Sequence, residues 1–250
     1  MKTSVTSEQL PNRVAGLLIL AEVVTVIVPV VMLGKYFEFP DVLRQPAEHG
    51  LTLFRRNQAQ IVPAYYVFMV SGLLFLPLSY AFNTVLKSSV SSSLRQALVG
   101  AGTATAVFQS IGFSRWLFII PYLAEQYARQ VDQRPTIVLL YETLNRYAGM
   151  TIGEHLGFLA MGVWTLLLAY LLWQHGSTKM WFAGLGLPIG MGLLVSIGEQ
   201  FGGSSAALFG TINFIANTGW SIWMLALGLW LLFRRSAPTP TSALRTVQSV

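Results

Sequence analysis

The sequence predicts an all-α fold: a polytopic integral membrane helix bundle of about six transmembrane helices with short interfacial helices. Three observations carry that prediction. The chain is 54% hydrophobic and only 10% charged, with a mean hydropathy of +0.57, whereas a soluble domain carries about 25% charged residues. Six apolar stretches are long enough to cross hydrocarbon about 30 Å thick, which takes roughly 20 residues of helix. The basic residues gather at the ends of those stretches, where they set topology and meet lipid headgroups.

The spans fall at about 14–34, 61–86, 97–122, 152–173, 180–201 and 206–233. The first is too long for a signal-peptide core and lacks a small-x-small cleavage site, so it reads as an uncleaved helix. Residues 38–59 and 136–149 mix apolar and charged side chains and read as interfacial segments on the outer leaflet. In the second, Glu142 and Arg146 stand at the i,i+4 spacing of a helical ion pair. Residues 87–95 and the stretch after Arg235 are Ser/Thr/Pro-rich linkers. Residues 1–235 are therefore expected to form a single transmembrane domain, and 236–250 a flexible polar tail.

With both termini cytoplasmic, Lys2, Arg13, Lys87, Arg95, Lys179, Arg234, Arg235 and Arg245 lie inside. Lys35, Arg44, Arg55, Arg56, Arg129, Arg134 and Arg146 then lie outside, in longer loops that obey the positive-inside rule less strictly.

The composition also excludes several function classes. A net charge of +6 without a basic patch does not make a nucleic-acid surface. The absence of cysteine removes disulfides, thiol catalysis and iron–sulfur clusters. His49, His155 and His175 lie far apart in sequence, so no metal site or bis-histidine haem is expected. Phosphate-binding, dinucleotide, HExxH and GxSxG motifs are absent, so no cofactor is expected and no catalytic residue is identified.

The chemistry lies in the charges placed inside the spans: Glu22, Arg115, Glu154 and Glu199, with His155 beside Glu154. Each unpaired charge costs about 2.5–3.5 kcal/mol at a helix centre, so such residues face the bundle and find partners. At about 1.5 Å per residue, Arg115 lies about 27 Å from the cytoplasmic end of its span, and Glu154 and Glu199 about 30 Å from theirs. Asn213, Asn217 and Ser221 recur every fourth residue and make one polar stripe that reaches the same layer. Tyr65 and Tyr66 lie close to it; Glu22 is nearer the midplane and has no evident partner.

Two readings of this layer stay open. Arg115, Glu154, His155, Glu199, Asn213 and Asn217 either form a pocket open to the outer face, or hold helices in register. In the second case Arg115 pairs with Glu154 or Glu199, the asparagines bond between helices, and His155 is a hydrogen-bonded helix residue. Gly149, Gly153 and Gly157, spaced by four, read as a close helix–helix contact, as do Gly198 and Gly202. The hexapeptides IGEHLG (152–157) and IGEQFG (197–202) echo one another.

NRVAGLLIL (12–20), GFSRWLFIIPYLA (112–124) and LNRYAGMTIGEHLGFLAMGVWTLLLA (144–169) together resemble a bacterial multi-pass membrane family catalogued as domain of unknown function 4386. The likeness covers roughly residues 12–233 and rests on Arg115-Trp116 and on the Gly-Glu-His-Leu-Gly of 153–157. It implies about six spans in a prokaryotic inner membrane and transfers no activity. The expected partners are membrane lipids, with a small amphipathic ligand or lipid in the pocket as the leading function. A structural or accessory subunit of a larger membrane complex is the alternative, and a membrane-embedded enzyme ranks last.

Overall fold

A computed structural model describes residues 9–86, 90–176 and 180–234. Every regular element among them is helical. Lys2, Lys87, Lys179, Arg235, Arg245 and the tail at 236–250 lie outside the described residues.

The long helices are α1 (Gln9–Phe37), α3 (Gln58–Val85), α4 (Ser92–Phe118), α7 (Gly157–His175), α8 (Met180–Ser196) and α9 (Ala206–Phe233). Between them lie α2 (Ala47–Arg56), α5 (Ile120–Arg129) and α6 (Arg134–Leu144). Short 3-10 turns occupy Asp41–Arg44, Val131–Gln133 and Ile197–Phe201, and a π-helix runs from Asn145 to Leu156. Among the described residues, six segments are long and apolar enough to cross a membrane, as the sequence predicts. Successive spans are neighbours, and α9 packs back onto α1, so the six close into a ring.

Among the described residues, one end of the ring carries Gln9, Leu86, Ser92, Gly176, Met180 and Arg234. The other end is capped by α2, α5, α6 and the 3-10 turns. Residues 38–59 thus contain a short helix, as expected. Helix α5 departs from the expected third span, which runs straight to residue 122. Pro121 has no N–H to offer Leu117, so the ladder opens at Ile119 and a new helix starts.

Each end has its own core. Within the ring, Phe75, Trp164 and Trp220 fill the centre: Phe75 stacks on Trp220 at 5.5 Å and meets Trp164 edge-on at 5.1 Å. Both indoles are satisfied, Trp164 Nε1 donating to Ser79 Oγ at 2.8 Å and Trp220 Nε1 to Thr165 Oγ1 at 3.0 Å. At the capped end Leu51, Phe54, Leu123, Ile137 and Tyr141 from the short helices close over Phe37, Tyr65 and Trp116. Helix α2 buries Ala47, Gly50, Leu51 and Phe54, one helical face, while its charged face stays outside.

The expected glycine contact is present. On α4, Gln109, Gly112 and Arg115 meet Gly157, Gly153 and Gly149 in antiparallel order. A Cβ on Gly112 would lie 2.5 Å from Gly153 Cα, so the two backbones touch. For the second pair the expectation needs correction. Gly198 packs on the Phe209 ring, but a Cβ on Gly202 meets nothing within 4 Å. Gly202 has φ +72 and ends the 3-10 turn, so its role is the backbone conformation and not a contact.

Candidate functional site

The two echoed hexapeptides meet beneath the cap, and both lie outside α-geometry except for Gly157, which starts α7. IGEHLG closes the π-helix and IGEQFG opens with the 3-10 turn. Gln200 Nε2 donates to Glu154 Oε2 at 2.5 Å, and the His155 and Phe201 rings meet edge-on at 5.3 Å. Such departures from α-geometry recur at functional sites, because they re-aim side chains that a regular helix would space evenly.

Beside this junction a cleft of about 380 Å³ opens at the capped end. Its polar wall comprises Arg44, Gln45, Glu142, Asn145, Arg146, Glu199 and Gln200; Leu43, Ala47, Tyr141, Met150 and Phe201 supply apolar surface. Of the six sequence-predicted residues, Glu199 lines the cleft. Arg115, Glu154 and Asn213 stand one hydrogen bond behind it, each joined to a lining residue.

Arg115 is buried, and its guanidinium lies against Gly149, where a Cβ would come within 2.6 Å. It donates to Gly112 O at 2.5 Å and to Asn145 Oδ1 at 3.1 Å, and sits over the Trp116 ring at 4.9 Å. The expected ion pair of Arg115 with Glu154 or Glu199 is not formed. Glu199 instead pairs with Arg44, a residue the sequence placed among the topology charges. Both groups rest on the bare face of Gly210, where a Cβ would stand 3.0 Å from Glu199 Oε1. Asn213 Nδ2 reaches Glu199 Oε2 at 3.4 Å.

The polar stripe on α9 is bonded mostly along its own helix. Asn217 donates to the Asn213 side chain and, at 3.0 Å, to its carbonyl, while Ser221 donates to Asn217 O at 3.0 Å. Only Asn213 ties it to another element through these side chains. His155 makes no side-chain hydrogen bond among the described residues, so the ring contact replaces the expected bond. Tyr65 is buried against Trp116, and Tyr66 is exposed.

Glu142 and Arg146 both line the cleft but form no ion pair with each other. The change to i→i+5 bonding at Asn145 shifts Arg146 off the face that four α-helical residues would give it. Both are exposed, and neither side chain has a hydrogen-bond or ion-pair partner among the described residues. Arg44, Asn145 and Gln200 are the contributors that sequence reasoning missed.

Glu22 lies elsewhere, buried in the middle of α1 with Oε2 unpartnered. Its neutral isostere removes the charge cost and keeps the shape. Glu22→Gln is therefore expected to unfold in detergent at the same temperature as the parent or higher. A marked fall would reveal a partner that needs the carboxylate.

These features define a multi-pass helical membrane protein with one capped end and a mixed-charge cleft beneath the cap. Residues 14–234 match the family described as Domain of unknown function (DUF4386), and the chain belongs to that family. No curated protein and no solved structure matches it.

Proposed function

We propose that this chain is an inner-membrane protein with cytoplasmic termini whose capped end faces outward and binds a small amphipathic ligand in the cleft. One observation carries the reading. Arg146 and Glu142 present charges of both signs to a cleft of about 380 Å³ without engaging each other, next to apolar Leu43, Met150 and Phe201. That volume lies within the range of about 300–1,000 Å³ typical of small-molecule sites.

The buried layer supports the reading by fixing the wall. Arg115 holds Asn145, Glu154 holds Gln200, and Asn213 with Arg44 holds Glu199. Amides and carboxylates anchored from behind present their remaining hydrogen-bonding groups without first losing side-chain entropy. In this reading Arg146 takes the anionic group of the ligand, Glu142 a cationic or hydroxyl group, and Gln45, Asn145 and Gln200 supply hydrogen bonds.

Arg146→Ala is expected to keep the parent's unfolding temperature in mild detergent, because it removes no internal contact. The same variant is expected to lose, by roughly tenfold or more, any small molecule that co-purifies and is seen by native mass spectrometry. Parent protein that carries no such molecule, or a variant that retains it fully, would sink the ligand reading.

A further inference from the structure

A separate region of the capped end carries its own chemistry. Helix α2 ends on Arg55 and Arg56, and Asn57 hands the chain to α3 at Gln58. An open groove of about 580 Å³ runs beside them, lined by Arg55, Arg56, Gln58, Ala59, Val62 and Pro63.

The groove has an excess of positive charge. Arg55 Nε donates to Glu125 Oε2 at 3.1 Å, and Glu125 also takes Arg129 Nε at 2.5 Å, so one carboxylate serves two guanidinium groups. Arg56 is exposed and has no hydrogen-bond or ion-pair partner for its side chain among the described residues.

The depth of the groove is set by the membrane. Gln58 opens a segment long and apolar enough to span a membrane, and Arg55 and Arg56 stand directly before it. Below them the outward face of α3 continues through Ala59, Pro63, Tyr66, Leu73, Leu76 and Tyr80, all exposed and recurring every third, fourth or seventh residue. A cationic head therefore sits directly above an apolar stripe. A phosphodiester suits it, since a planar guanidinium fork matches phosphate oxygens in pairs.

We propose that the Arg55–Arg56 groove seats the headgroup of one anionic phospholipid, with an acyl chain lying along the outward face of α3. The site is distinct from the Arg44–Glu199 cleft and independent of the ligand proposed there. Arg56 carries the selectivity, because Arg55 is already shared with Glu125.

The test titrates purified protein in detergent with phosphatidylglycerol or phosphatidylcholine and counts bound lipid by native mass spectrometry. The parent should retain phosphatidylglycerol in preference to phosphatidylcholine. Arg56→Gln should weaken phosphatidylglycerol about fivefold, the expected weight of one interfacial charge, and leave phosphatidylcholine unchanged. Arg56→Lys should recover most of the binding, and Arg146→Ala should not alter it. Equal loss of both lipids, no loss in Arg56→Gln, or a loss in Arg146→Ala as large as in Arg56→Gln would each overturn the assignment. So would displacement by glycerol 3-phosphate at lipid-like concentrations, which would make the ligand a soluble phosphate.

Discussion

Gly153→Leu is expected to yield no folded, monodisperse protein, and Gly153→Ala to lower stability by about 1–3 kcal/mol. A Cβ at Gly153 would lie 2.8 Å from Gly112 Cα and 3.3 Å from Ala148 O. Carbon atoms rest at about 3.5–4.0 Å, so α4 and the π-helix must part by more than a bond's stretch can absorb. Backbone cannot rotate out of the way as a flexible side chain can. Parting them also lifts Arg115 off Gly149 and Gln109 off Gly157, because all three contacts lie along one line. In lipid such close packing is a main source of helix association, since apolar burial gives little preference for protein over acyl chains. Gly100→Ala on the same α4 provides the comparison, as its Cβ meets nothing within 4 Å. Size-exclusion profiles and thermal unfolding in detergent should separate the two alanine variants; identical behaviour would refute the contact argument.

The spans were readable from sequence because lipid imposes a severe rule: backbone polar groups must be satisfied within each crossing segment. The sixth span was expected at 206–233 and is Ala206–Phe233. Helix rise converts sequence position to depth, which is how the sequence groups charged and amide side chains in one layer. It carries no such rule for their pairing. Which carboxylate meets which base depends on local winding, and both echoed hexapeptides leave the α-form. Arg44 escaped notice because a charge in an interfacial loop has a sufficient explanation in topology. Asn145 and Gln200 escaped because neutral amides carry no insertion penalty large enough to draw attention. Pro121 was a visible signal for the start of α5, and the long apolar run around it concealed the bend.

Trp116→Ala is expected to loosen the capped end selectively, at a cost of about 3–5 kcal/mol. The indole is buried and stacks on Tyr65 at 4.9 Å with an interplanar angle of 7°. It meets Phe37 edge-on at 5.1 Å, stacks on Phe54 at 6.1 Å and touches Tyr141 at 6.3 Å. One side chain on α4 thus joins Phe37 at the end of α1, Phe54 on α2, Tyr65 near the start of α3 and Tyr141 on α6. The Arg115 guanidinium lies over the same ring and loses that support as well. The ring of spans has a separate core around Phe75, Trp164 and Trp220, which this substitution does not touch. Limited proteolysis should therefore cut the variant first within residues 38–59, while the helical circular dichroism of the spans persists. Because the cap forms one wall of the cleft through Leu43, Arg44 and Ala47, a bound molecule should be lost with it. Trp181→Ala, at a side chain that is 64% exposed, removes an indole without removing a core and should leave the proteolytic pattern unchanged. If both tryptophan variants resist protease equally, the capped end is not held by its own core, and the support it gives the cleft must come from the buried polar layer alone.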